Sequence, residues 1–534
     1  MDIPDSQISW PDYIVIAGYF ILMIGVGIAF KGFNKNTDDY FRMGCQGSWW
    51  MVGASAFMVG FSSWTFTGAA GVAFESGLSV VAIYLANIIG FFIHFLFLAP
   101  WFRQLRVVTF PEVLSLRFDE KTRQIYAFVG VLLFSLFGGL QLYGLAIFSS
   151  AIFGFDLKMV ILVLGCIVVV YSVSGGSWAV RATDFLQAVI LMPLTILLAV
   201  LALQQLGGIS GLFEKIEGHG LAAEYRIIKP GIGEMVGAYT LGWFGANVMT
   251  GVMKNCSFMG AQRYFSVKDG AEAKKAALFA CVLFCLGPLI WFLPPVASRL
   301  VFETQVLAVA IPKPAEASYA IFSLNILPEG MIGLMVVAIF AASMSSLDSG
   351  LNGNSAIIIR DIFPAICKKC RWKLPSESNL LKGSRILSLV LGCFIVSMAL
   401  LFSNRPGKGL FESMLDMIAL LSTPLMLPMF MGLFIKHAPS WSALFSVGVT
   451  LCFSTACYFS ETLFGSALNF QTIVAVNTTA GIISFLSTVP FWKNENASDK
   501  LRIQEFFVRM KTPVNYEKEV GVDNSLSQLL IMGA

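Results

Sequence analysis

Charge is scarce in this sequence. Of its 534 residues, 13% are Asp, Glu, Lys or Arg, against about 25% in an average soluble domain. The net charge is only +4, so the basic excess that binds nucleic acid is lacking. Three histidines leave little material for histidine chemistry or a histidine-rich metal site. No basic run precedes the first apolar stretch, Tyr13 to Phe30, which is too long for a signal core and reads as a retained helix. Cys367 and Cys370 form one C-x-x-C without the second pair that a zinc site needs. Cys166, Cys281, Cys285 and Cys393 sit in apolar segments as small hydrophobes. These absences exclude a soluble globular enzyme and a disordered scaffold. What is abundant is apolar: 57% of the chain reads as an all-α integral membrane protein in contact with the lipid bilayer.

A membrane-spanning helix needs about 20 mainly apolar residues. Thirteen segments qualify: 11–31, 50–74, 79–101, 124–152, 157–174, 184–204, 233–258, 275–298, 322–357, 384–403, 409–435, 440–460 and 468–492. The segment 322–357 is too long for one span, so its end is expected to project beyond the bilayer. With the N-terminus outside, 28 of the 36 Lys and Arg residues fall on the inner side. The positive-inside rule therefore predicts an outer N-terminus and a cytoplasmic C-terminus. Residues 1–492 form the membrane domain, and 493–534 a polar cytoplasmic tail too short for a catalytic domain.

Polar groups inside apolar spans are costly and mark function. The segment 337–356, VAIFAASMSSLDSGLNGNSA, places Ala342, Ser345, Ser346 and Ser349 on one helix face with Asp348 beside it. Three hydroxyls and a carboxylate offer the oxygens that a hard cation needs; the alternative is close helix packing through small residues. In YSVSGGSWAVRATDFLQAVI, 171–190, the glycines break one helix and put Asp184 in the first turn or two of the next. On these residues alone Asp184 reads as an N-terminal cap. The glycines and hydroxyls of WMVGASAFMVGFSSWTFTGAAG, 50–71, weaken that helix midway, and 240–258 is a second interrupted candidate five spans later. Interrupted spans mark midplane binding sites in secondary transporters, and their spacing suggests two inverted five-helix repeats at about 50–204 and 233–435. Glycine-mediated packing is the alternative for each.

AASMSSLDSGLN at 341–352, TFPEVLSLRFD at 109–119, SGGSWAVRATDFLQ at 174–187, GAQRYFSVKDGAEAKKA at 260–276, GPLIWFLPPVA at 287–297 and GLFIK at 432–436 occur in one order. Together they make the chain, over about residues 10–460, resemble the sodium:solute symporter family. The resemblance implies a LeuT-like five-plus-five inverted repeat with an extra helix before the core and others after it. It implies a main sodium site of Met58 and Phe61 carbonyls with Ala342, Ser345 and Ser346. It also implies a second sodium ion at Asp184, Ser345 and Ser349, which turns Asp184 from a cap into a ligand. Asp348 stands where such members have a hydroxyl, leaving open a tighter second site, a protonated carboxyl, or a proton in place of sodium. The implied solute contacts are Ser62, Trp64 and Thr65 on the first core helix and Asn87 on the second, with Gln141, Lys254, Ser257 and Asp416 completing the candidate set. Tyr84 and Phe284 replace charged residues of the galactose transporter, which speaks against galactose itself.

Lys254 lies near an inner-gate position of sugar-carrying members. It has three readings: a pair with a solute carboxylate, snorkelling to the inner surface, or a pair with Asp416. His94 reads as a packed, hydrogen-bonded histidine. The expected function is sodium-coupled uptake of a small organic solute (a sugar, sugar acid or other carboxylate) across the inner or plasma membrane, with one or two sodium ions. No nucleophile–base pair suggests an enzyme, and no nucleic-acid or obligate protein partner is expected. The nearest rival is a proton-coupled carrier of the same fold; a membrane-embedded sensor or channel is more distant.

Overall fold

The computed structural model describes residues 9–31, 37–172, 176–230, 238–404 and 409–519. Its named elements are all helical, and Gly47 and Val267 form an isolated β-bridge. Eight helical stretches among the described residues are long and apolar enough to cross a membrane, and four shorter apolar helices accompany them.

In chain order the helices used below are α1 Trp10–Lys31, α2 Trp49–Gly60, α3 Ser63–Phe66, α4 Gly68–Ser76, α5 Val81–Ile93, α6 Phe110–Arg117, α7 Glu120–Phe153, α8 Leu157–Ser172 and α9 Gly176–Leu206. They continue as α10 Leu241–Cys256, α11 Gly270–Trp291, α12 Met331–Ile357, α13 Glu377–Ser403, α14 Leu410–Met417, α15 Thr423–Phe434, α16 Ser442–Tyr458, α17 Phe470–Ser487 and α18 Ala497–Lys511.

Two packing groups organise the core. In one, α5 packs on α10 and α11, and α11 on α2. In the other, α7 packs on α12 and α13, and α13 on α8. Helix α9 joins them by touching both α2 and α12. Helix α1 lies against α12 and α9. It is attached to α12 at two heights: the Gly333 N–H donates to Asp12 Oδ1 at 2.6 Å, and the Tyr19 hydroxyl meets Met344 Sδ at 3.9 Å. Gly333 is glycine because an added Cβ would lie 2.5 Å from the Asp12 carbonyl oxygen.

Three expectations change. First, 240–258 is not interrupted in its middle: α10 runs unbroken to Cys256, and the chain extends only at Ser257. Its glycines serve packing, since a Cβ at Gly251 would come within 2.4 Å of that of Ala86 on α5. Second, 322–357 is two helices. Ser318–Ile326 ends before Pro328 and Gly330, whose φ of 83° favours glycine, and α12 starts afresh at Met331. Third, Asp184 is no cap. Helix α9 begins at Gly176, so Asp184 lies more than two turns inside it. The Ser174–Gly175 step before it falls outside the described residues.

The tail is also partly built in. Helix α18 buries Ile503, Phe506 and Met510 against α6 and Ala99–Gln104. Arg117, fully buried at the end of α6, donates to the carbonyls of Gly432, Ile435 and Ala438 beyond and within the end of α15, and lies over the rings of Phe118 and Phe507.

Candidate ion and solute site

The first core helix breaks at Phe61 and Ser62. Both are extended, at φ −128° and −137°, between α2 and α3. A break frees backbone groups that a continuous helix would pair. The Phe61 N–H turns back to the Met58 carbonyl at 3.2 Å. The Ser63 N–H goes to Ser343 Oγ on α12 at 3.2 Å, and the Ser63 hydroxyl donates to the Gln141 carbonyl on α7 at 3.0 Å. Ser343 is thus the residue that holds the restarted helix, and sequence reading missed it because it stands off the Ala342–Ser349 face.

That face meets the break. Ala342, Ser345 and Ser346 are buried, and the Ser346 hydroxyl donates to the Val59 carbonyl at 3.4 Å. Met58 and Phe61 flank Val59 in sequence, so this contact sets the C-terminal end of α2 against the face that carries Ala342, Ser345 and Ser346.

Next to it, Asp184 is fully buried. The Ser55 hydroxyl donates to Asp184 Oδ2, and Arg181 Nη1 donates to that same hydroxyl at 2.7 Å. Ser345 faces the same carboxyl. Asp184 Oδ1, Ser345 Oγ and Ser349 Oγ are all buried without a hydrogen bond of good geometry. Buried polar atoms are normally satisfied. A carboxylate oxygen and two hydroxyls left over in one neighbourhood are the donor set of a hard monovalent cation. Asp348, also buried, acts with Asp184 on the Tyr19 hydroxyl, which Gln187 Nε2 holds at 3.0 Å. Tyr19, Ser55, Arg181 and Gln187 escaped the sequence reading. Of these, only Arg181 had a local signal, three residues before Asp184 on the same helix.

Of the expected solute residues, Trp64 belongs to an aromatic wall beside the break. Trp64 stacks on Phe411 with centroids 5.7 Å apart, and Trp243 lies next to Phe411 at 6.4 Å. The Phe61 ring rests 3.9 Å from Trp291. Ser62 is buried, and Thr65 Oγ1 accepts from the Tyr84 hydroxyl at 2.6 Å. Asn87 Oδ1 accepts from Asn255 Nδ2 at 2.9 Å, tying α5 to α10. Ser257 is fully buried, and its hydroxyl donates to the Lys254 carbonyl at 2.9 Å, closing the end of α10. Asp416 is half-buried on α14. Lys254 is not paired with it: Nζ lies over the Phe137 ring of α7, 5.7 Å from its centroid. His94 is packed as expected, with its ring nitrogens 2.9 Å from the Tyr264 hydroxyl and from the Asn255 carbonyl.

Beyond Phe411 lies a cavity of about 230 Å³ lined by Glu75, Trp243, Lys313, Glu316, Phe411 and Glu412. The turn Pro314–Ala317 contributes Ala315 and Glu316 to its wall. Glu316 Oε1 accepts the Phe411 N–H at 3.2 Å, and Lys313 Nζ pairs with Glu412 Oε1 at 2.6 Å. Burial pushes the Glu316 carboxyl up to about 7, against the pull of the Phe411 and Leu410 N–H groups and of Lys313.

The chain matches the model of the sodium:solute symporter family over residues 40–449. It is 28% identical to a sodium/glucose cotransporter of Vibrio parahaemolyticus over 84% of this chain and 85% of that one. It is 26% identical to a sodium/sialic acid symporter of Proteus mirabilis over 90% and 95%. Among solved structures, a substrate-bound outward-open sodium-coupled sialic acid symporter superposes with a TM-score of 0.76 at 23% identity, covering 90% of this chain and 98% of that one. A nucleobase-cation-symport-1 family transporter in a closed conformation gives a TM-score of 0.55 at 16% identity, over 87% and 98%. These two likenesses carry the fold.

Proposed function

Because this chain belongs to the sodium:solute symporter family, we infer that it is a multi-pass membrane protein coupling inward sodium movement to the uptake of a small organic solute by alternating access. The observation that carries this reading is the closure of the broken α2–α3 helix on the hydroxyl face of α12. Buried oxygens of Asp184, Ser345 and Ser349 stand there without good hydrogen bonds.

In this reading sodium takes the Met58 and Phe61 carbonyls, Ala342, Ser345 and Ser346. A second ion takes Asp184, Ser345 and Ser349, with Asp348 behind them. Oxygen from the C-terminal end of α2 suits a cation on electrostatic grounds as well, since the helix dipole is negative there. The ion's differential affinity for the closed break stabilises one state of the carrier. The solute occupies the space bounded by Ser62, Trp64, Thr65, Asn87 and Gln141. The repeats comprise about 50–204 and 233–435, the N-terminus is outside, and the C-terminal segment from 493 is cytoplasmic. A membrane potential supplies about 2.3 kcal/mol per charge per 100 mV, so one or two sodium ions concentrate a solute strongly. The residues supply binding and orientation only, and no covalent step is involved.

The test is uptake into proteoliposomes with sodium or choline outside, for wild type and for Ser345→Ala combined with Ser346→Ala. Sodium-driven uptake is expected in wild type and abolished in the double variant. Uptake that survives unchanged in the double variant removes these hydroxyls from the ion site. Uptake that follows a pH gradient and ignores sodium replaces the reading with proton coupling.

A further inference from the structure

In an unbroken helix each N–H donates to the carbonyl four residues back, so the Ser63 N–H would pair with the Val59 carbonyl. The break parts that pair, because Phe61 and Ser62 are both extended. Two serines of α12 take up its two halves. The Ser346 hydroxyl donates to the Val59 carbonyl at 3.4 Å, and Ser343 Oγ accepts the Ser63 N–H at 3.2 Å. Ser343 and Ser346 are three residues apart, about 4.5 Å along one helix. Helix α12 therefore carries, on neighbouring turns, a donor and an acceptor for a hydrogen bond that the first core helix has lost.

The acceptor is oriented. The Ser343 hydroxyl hydrogen goes to the Ile339 carbonyl of its own helix at 2.9 Å, which leaves the oxygen lone pairs to the Ser63 N–H. Ser343 and Ser63 are both fully buried, so water does not compete for this bond. Ser63 is fixed from the other side as well. Its hydroxyl donates to the Gln141 carbonyl of α7 at 3.0 Å, and α7 has glycine at 144, where an added Cβ would lie 3.3 Å from the Ser63 and Thr67 hydroxyl oxygens. Helix α3 is a single turn, Ser63–Phe66. A single turn does not hold itself together, so these outside bonds set where α3 stands.

We propose that Ser343 is a positioning residue that transmits ion occupancy to α3, and through it to Trp64 and Thr65. This rests on the symport reading above. A cation on the lone pairs of Ser346 turns that hydroxyl hydrogen away from itself, toward the Val59 carbonyl. The bond seats α12 against the C-terminal end of α2. Helix α12 is continuous from Met331 to Ile357, so Ser343 is seated in the same movement and meets the Ser63 N–H. When the ion leaves, the Val59 contact loosens and α3 loses its hold on α12. Ser343 supplies no ligand to the ion; the coupling passes along one turn of α12.

The experiment is hydrogen–deuterium exchange of the purified full-length protein in detergent, in sodium against choline at equal ionic strength, with Tm measured in the same solutions. The reporter is the peptide that contains the amides of Ser63 to Thr67. In wild type, sodium is expected to raise Tm by mass action. It is also expected to slow exchange in the reporter about tenfold, the scale of one buried hydrogen bond. Ser343→Ala should keep the half-saturating sodium for the Tm shift within about threefold, while the slowing of exchange falls below about threefold. Ser343→Thr, which keeps the hydroxyl, should restore it. Slowing that persists in Ser343→Ala overturns the proposal, as does a wild type whose Tm responds to sodium while the reporter does not. Loss of the sodium shift of Tm in Ser343→Ala places the residue in the ion site itself and overturns the relay. Failure of Ser343→Thr to restore the slowing assigns the loss to packing, with the same consequence. A wild type without a sodium-specific Tm shift instead overturns the symport reading. If Ser343→Ala does not fold, Ser343→Cys, a weak acceptor of similar size, provides the same comparison.

Discussion

Arg181 and Asp184 meet on a single hydroxyl. Ser55 donates to the Asp184 carboxylate and accepts from Arg181 Nη1 at 2.7 Å. The guanidinium thus compensates the carboxylate through a neutral relay, without direct contact, and Asp184 Oδ1 remains for another ligand. A bidentate salt bridge would have occupied both carboxylate oxygens.

From this follows the first prediction. Asp184→Asn keeps the shape but removes the charge opposing Arg181, so a second sodium ion should be lost. The sodium dependence of uptake should change from cooperative to hyperbolic, with at least a tenfold rise in half-saturating sodium. Ser55→Ala should have the smaller effect, because it removes the relay and leaves the carboxylate. An unaltered sodium curve in Asp184→Asn would take this residue out of ion binding.

Asp348 is a buried carboxylate beside the hydroxyl face of α12. Replacing it by serine should weaken sodium binding, since a hydroxyl dipole replaces a full charge near Ser345 and Ser349. The count of sodium ions carried per solute, read from reversal potentials in proteoliposomes, should fall in Asp348→Ser if its carboxylate completes the second site. The same count and the same affinity in wild type and variant eliminate that role.

The Glu316 carboxyl makes the cavity beyond Phe411 sensitive to pH. Its ordinary value is 4.5, and in the folded protein it stands at about 7. Between those values the folded protein holds a proton that the unfolded chain does not, so stability falls as pH rises from about 5 to 7. Lys313 opposes this rise and Glu412 adds to it. Hydration of the Glu316 carboxyl should return it toward its ordinary range. Glu316→Gln should flatten the slope of Tm against pH across that window while retaining an acceptor for the Phe411 N–H. A slope of equal size in the variant assigns the pH dependence to other groups.

Arg117 predicts the reverse pattern, a large effect on stability and little on sodium. It is fully buried and satisfies the carbonyls of Gly432, Ile435 and Ala438. Arg117→Met leaves those carbonyls without their donor, at a cost of about 3 kcal/mol. Tm should drop by several degrees, while the sodium concentration for half-maximal uptake in the surviving protein stays within twofold.

The helix break at Phe61 and Ser62, the hydroxyl face of α12 and the packed role of His94 were legible because each has a local cause. A cluster of glycines and hydroxyls weakens a helix wherever it lies, and i, i+3, i+4 spacing makes a face in any helix. Glycine at 251 misled for the same reason. Locally it loosens α10, but in the fold it admits Ala86 of α5, and tertiary packing outweighed propensity. The Ser55 relay was beyond reach because its partners are 126 and 129 positions away. Likewise, 322–357 read as one segment although Pro328 and Gly330 were a stop signal within it; the expected overhang is untouched by that break, since the helix from Met331 continues to Cys370.

A helix held at one point can still swivel, and one held at two cannot. Asp12 and Tyr19 fasten α1 to Gly333 and Met344 at points about 10 Å apart along α1. Together they fix both the slide and the rotation of α1 on α12. The first helix is thereby a stationary ruler bolted to the α12 side of the carrier. A spectroscopic label on it should keep its distance to α12 during turnover, and so serve as a reference against which movement of the other helices is measured.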